Sequence, residues 1–134
     1  MNILLCLDNS ANTEKLLQRV RQFAGALKHA NIKMVHIIDE QLFYTTTGFE
    51  VQLNETLQEE SSGLKERCLE LLGEVAYMEV YGVPLLKIDE VLAGTDHDLV
   101  ISGTLNSHSF GGRLMGSFAE HLLHTSTKPV LIIP

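Results

Sequence analysis

The chain has 134 residues, 45% hydrophobic and 20% charged, with a formal net charge of −7. That length and balance suit one soluble globular domain that buries roughly two-thirds of its unfolded surface. The acidic balance excludes a non-specific nucleic-acid or anionic-membrane surface, which needs a positive patch, and no apolar run approaches the roughly 20 residues that span a bilayer. The opening MNILLCLDNS has no basic segment, and its apolar run is too short for a signal peptide, so a cytoplasmic protein is expected.

Ile3 to Leu7 is a continuous apolar run ended by Asp8, the pattern of a strand buried on both faces of a parallel sheet. Asp8-Asn9-Ser10 offers turn and N-cap chemistry. The helix that follows carries Leu16, Leu17, Val20, Phe23, Ala24 and Leu27 on one stripe, and Asn31 is its expected stop. Lys33 to Ile38 is a second strand, ending at Asp39-Glu40. Gln41 to Phe49 is long for a strand-to-helix connection, and such a loop often covers a ligand or a partner.

A second helix runs from about Val51 to Leu72, with Leu57, Leu64, Cys68, Leu71 and Leu72 on one face and Gly73 as its C-cap. Its glutamates Glu55, Glu59, Glu60 and Glu66 read as a solvated face. Cys68 on this helix and Cys6 in the first strand read as buried thiols. Val75 to Tyr81 is a third strand, less uniformly apolar and therefore nearer an edge. Pro84 suits the first position of a third helix, which Gly94 closes.

Asp98 to Ser117, DLVISGTLNSHSFGGRLMGS, holds the most chemistry. Leu99 to Ser102 is a buried strand stopped by Gly103. A polar, glycine-containing loop follows, and a helix starts near Ser117 and ends around Ser126. A strand, a glycine loop and a helix start in that order can bind an anion, because the first turn aims unpaired N–H groups and a partial positive charge at one spot. Val130 to Ile133 is the last strand. Strict alternation of strands and helices predicts an α/β fold, an open parallel sheet with helices on both faces. Its crevice lies between the first and fourth strands, with Asp8 and Gly103 facing each other.

These pieces in this order resemble the universal stress protein family over essentially the whole chain. They are ILLCLD ending at Asp8, VHIID from Val35 to Asp39, DLVISG from Asp98 to Gly103, Gly116-Ser117, and PVLII from Pro129 to Ile133. The resemblance implies a single domain over residues 1–134 and a five-stranded, Rossmann-like sheet of order 3-2-1-4-5. The family's nucleotide-binding branch has a motif of glycine, two residues, glycine, nine residues, glycine, then serine or threonine. Gly103, Gly116 and Ser117 match it, and Asn106 stands where the second glycine belongs.

Taken residue by residue, the resemblance implies that ATP or AMP, with magnesium, is held by Asp8, the backbone of Ile37, Gly103, Asn106, Gly116, Ser117 and the N–H of Phe118. Asparagine is the best non-glycine residue for a left-handed backbone, and its amide can donate to phosphate, but it brings a side chain into the site. Asn106 and Leu105 point instead to the branch without nucleotide binding, in which the same fold works as a dimeric stress-response interaction protein. Both readings stay open on the sequence.

Simpler roles stand beside these. Ser117-x-x-Glu120 is a capping box, and Asp8 can cap the first helix. His121 and His124 have a metal-ligand spacing, but no cysteine or carboxylate cluster stands with them, so they read as solvated and no intrinsic metal is expected. There is no nucleophile elbow and no Walker lysine, so no catalytic residue is assigned, and slow ATP hydrolysis is the most chemistry expected. At the edge of a 3-2-1-4-5 sheet, Val130 to Ile133 carries no charge to discourage pairing. A homodimer through that strand is expected.

Overall fold

In a computed structural model the described residues are 1–7, 13–27, 29–39, 62–104 and 116–134. The elements are β1 (Asn2–Leu7), α1 (Thr13–Gly25), β2 (Asn31–Ile38), α2 (helical at 62–72), β3 (Ala76–Tyr81), α3 (Pro84–Gly94), β4 (Leu99–Gly103), α4 (Ser117–Thr125) and β5 (Val130–Ile133). The five strands form one parallel sheet of order β3-β2-β1-β4-β5. The most apolar run is the central strand: Ile3 to Leu7 are all buried. The less apolar β3 lies at an edge, as its composition predicts.

Because side chains alternate across a strand, each strand feeds two cores. On one face Ile3, Leu5, Leu7, Met34 and Ile101 pack with Leu16, Leu17 and Val20 of α1 and with Leu64 and Cys68 of α2. On the other, Leu4, Cys6, Val35 and Val100 pack with Ile88 and Val91 of α3 and Leu122 of α4. Both cysteines are free and buried, and burial pushes the Cys6 thiol up to about 12 and the Cys68 thiol to about 11.

A polar tie joins the two helices of the first face. Arg67 of α2 holds both carboxylate oxygens of Glu14 on α1, its Nε donating at 2.7 Å, and also reaches Glu70 at 2.7 Å. The guanidinium holds the Glu14 carboxyl below its ordinary range. Two glycines make turns that a side chain would strain. Gly73 (φ 79) caps α2, its N–H donating to Leu69 O at 3.0 Å. Gly82 (φ 143) turns β3 into α3, and a Cβ there would meet Lys87 Cε at 2.7 Å.

Several boundaries differ from the sequence expectation. Asn31 is the first residue of β2 rather than a helix stop, because it pairs with Asn2 and its N–H donates to Met1 O at 2.9 Å. α1 already ends at Gly25, and the turn to β2 passes through His29 at φ 60. β4 runs one residue further than expected because Gly103 stays in register with Ile133 of β5. Pro84 opens α3 as expected. The loop Gln41–Phe49 and the helix start near Val51 lie outside the described residues.

Candidate functional site

The chemistry-bearing stretch sits where β4 hands over to α4. β4 ends at Gly103 between β1 and β5. The Gly116 N–H then donates to Thr104 O at 2.9 Å. This bond joins the two residues that flank 105–115, just beyond the carboxyl end of β4. The first intrahelical bond of α4 runs from the Glu120 N–H to Gly116 O at 3.0 Å. The N–H groups of Ser117, Phe118 and Ala119 precede it, so the helix gives them no acceptor of its own. Three such donors beside the positive end of a helix dipole are the chemistry that an anion site uses.

Ser117 does not cap α4. The N-cap is Gly116, in an extended conformation (φ −61, ψ 152) and without a side-chain cap, and Ser117 is the exposed first helical residue. The capping-box expectation is therefore corrected. Binding Gly116 to Thr104 pulls the extended residue one place upstream, and Ser117 enters the helix. The shift leaves the Ser117 hydroxyl at the head of the helix and commits the Gly116 N–H to Thr104.

Gly103 has room around it. A Cβ there would lie 3.5 Å from Leu16 Cδ2 and 3.9 Å from Ile133 O, which are ordinary contacts, and its φ is outside the left-handed region. Neither packing nor backbone conformation among the described residues demands glycine at this position. Phe118 is half-buried and packs on the core beneath α3 and α4, so its side chain has a structural role.

Ile37 lies one residue from the carboxyl end of β2 and packs on the same core as Phe118. β1 separates β2 from β4, a distance of roughly 10 Å at the usual strand spacing. The neighbouring His36 points to the opposite face, where it is buried with its Nδ1 3.3 Å from the Tyr77 hydroxyl. Gly103, Gly116, Ser117 and Phe118 are thus gathered at one point, and Ile37 is two strands away on the same edge. Asp8 and Asn106 lie outside the described residues.

Two features escape sequence reasoning. The first is Thr104, whose contribution is a backbone carbonyl. The second is His121, whose Nε2 lies 2.8 Å from Asp89 Oδ1 on α3, a partner 32 residues away. His121 thus has a protein partner on α3, and no group of three or more His, Cys, Asp or Glu that could hold a metal occurs among the described residues.

The family model described as the universal stress protein family matches residues 1–134. The chain belongs to the universal stress protein family. Universal stress protein MJ0577 of Methanocaldococcus jannaschii is 27% identical over 151 residues, covering 98% of this chain and 93% of the relative. The solved structure of MJ0577 matches with a TM-score of 0.83 at 29% identity, covering 98% of this chain and 94% of that one. Universal stress protein UspA from Lactobacillus plantarum has a TM-score of 0.77 at 20% identity, covering 100% of this chain and 97% of its own. A universal stress protein in complex with cAMP has a TM-score of 0.67 at 20% identity, covering 99% and 95% of the two chains. These last two share the fold. The sheet order and the four helices among the described residues are those of the universal stress protein fold. No described helix is long and apolar enough to cross a membrane.

Proposed function

We propose that this universal stress protein is a single cytoplasmic domain that binds ATP or AMP, with magnesium, between Asp8 and the Gly103–Ser117 loop, and acts as a nucleotide-dependent regulatory module. The observation that carries the reading is the bond between Gly116 N–H and Thr104 O (2.9 Å), which sets the end of β4 beside the start of α4, where the N–H groups of Ser117, Phe118 and Ala119 have no acceptor within the helix. A strand end tied to an open helix start at the carboxyl edge of a parallel sheet suits a phosphate. The space around Gly103 supports the same reading, as does a solved relative of the same fold that is a complex with cAMP. Ser117 and the N–H groups of Phe118 and Ala119 would take phosphate, Ile37 would lie toward the base, and Asp8 would accept from the ribose. No residue pair in the sequence identifies a base and a metal holder, so a regulatory module with at most slow hydrolysis is the reading adopted.

The second reading is the same fold without a nucleotide, a dimeric interaction protein, and Asn106 in place of the motif glycine favours it. Calorimetry with Mg-ATP on the wild type and on Asn106→Gly separates the two. Micromolar binding by the wild type is the expected outcome. Binding only by Asn106→Gly would mean that this one side chain closes the site. Binding by neither would overturn the nucleotide reading and leave the dimer as the working state.

A further inference from the structure

The tie between His121 and Asp89 bears on how well the head of α4 can hold an anion. Asp89 sits in the middle of α3, and His121 lies four residues after Ser117, about 6 Å further along the α4 axis. Their atoms are 2.8 Å apart, and the imidazole is three-quarters buried, with 24% of its side chain exposed. An ionised carboxylate only accepts, so the Nε2–H donates to it, and this fixes both the tautomer and the ring plane.

Among the described residues this is the one polar side-chain contact between α3 and α4. Elsewhere the contact rests on apolar groups, Ile88 and Val91 against Leu122. Burial of Ala119 and Leu122 fixes which face of α4 meets the core, but apolar burial is not itself directional, so small rotations about the axis cost little. A short hydrogen bond on the flank of the helix, one turn from its head, sets that rotation and hence the aim of the Ser117, Phe118 and Ala119 N–H groups. The nearby charges do not compete for it. Lys87 and Glu90 pair with each other at 3.1 Å, Glu120 and His124 are exposed, and Val100, Ser102 and Val130 of the sheet beneath α4 carry no charge.

We propose that His121, held by Asp89, is a positioning residue for the phosphate seat at the head of α4. The proposal rests on the nucleotide reading above. It is tested by titrating Mg-ATP and adenosine separately into the wild type, His121→Ala, His121→Gln and Asp89→Ala. Adenosine has no phosphate to reach α4 and serves as the internal reference. His121→Ala and Asp89→Ala should each weaken Mg-ATP by about three- to tenfold, the range of one lost directed hydrogen bond, and leave adenosine unchanged. His121→Gln, whose amide nitrogen can stand in for Nε2, should restore most of the loss. The double alanine variant should be no worse than either single one. Unchanged Mg-ATP affinity in His121→Ala overturns the proposal, as does an equal loss for Mg-ATP and adenosine, or failure of the glutamine to rescue. A wild type that binds neither ligand removes the nucleotide reading and this inference with it, a result distinct from a wild type that binds both and is insensitive to His121.

Discussion

Cys6 shows what depth in the sheet does to one side chain. It lies in β1 with 4% of its surface exposed, and burial raises its thiol from 9.0 to about 12. The folded state therefore prefers the neutral thiol more strongly than the unfolded chain does. That preference is fully present below pH 9 and is lost as the pH rises from 9 toward 12. The stability difference between the wild type and Cys6→Ala should be constant from pH 6 to 8 and should shift against the wild type above pH 9, as read by urea unfolding. At pH 8 a thiol reagent should label neither cysteine until urea is added; rapid labelling of the native protein would contradict the burial of Cys6 and Cys68. A buried thiol is legible from sequence because Ile3 to Leu7 is apolar on both strand faces. The partner of His121 is not, because a contact between residues 89 and 121 exists only once α3 and α4 lie side by side.

Among the elements, the handover from β4 to α4 separates stability from recognition. Among the described residues a methyl group on Gly103 would touch Leu16 at 3.5 Å and nothing closer, and alanine gives up less backbone entropy than glycine on folding. Gly103→Ala should therefore unfold at or slightly above the wild-type temperature, within about 1 kcal/mol of stability. If the glycine is kept for a ligand, the same variant should bind Mg-ATP more weakly. Calorimetry and thermal melting on one sample give both answers, and a large loss of stability would show a packing demand that the described contacts do not contain. Apolar periodicity predicts every described element at nearly its place, because burial on two faces leaves few alternatives for runs such as Leu99 to Ile101. The ends were less legible. Ser117 has the composition of a cap, yet the Thr104 carbonyl takes the Gly116 N–H and moves the cap to a residue without a side chain. A backbone acceptor leaves no mark in a sequence.

For the whole molecule, the open question is what happens at the sheet edges. β5 is an edge strand in this chain, and all four of its residues are half-buried. Val130 packs on the core beneath α3 and α4, and Leu131 and Ile133 pack on the core beneath α1 and α2. Among the described residues, Ile132 packs on neither. An unpaired edge that carries an aliphatic side chain outside both cores fits pairing with a second copy. Ile132→Lys should therefore keep its circular dichroism and turn the expected dimer into a monomer by light scattering. A lysine variant that stayed dimeric would move the interface elsewhere. The sheet order follows from the motif order, whereas recognition can turn on one side chain such as that of Asn106, which does not touch the apolar pattern that makes strands and helices.

The bond between Thr104 and Gly116 also bears on how such a domain can change over time. It ties residue 104 to residue 116 by backbone atoms alone, so the two ends can keep their places while the sequence between them drifts in length and chemistry. Exchanging residues 105–115 for the equivalent segment of another family member would be a transplant, with specificity carried in the graft and fold retained by the host. A lineage built this way can acquire, alter or abandon a ligand while the domain keeps its shape.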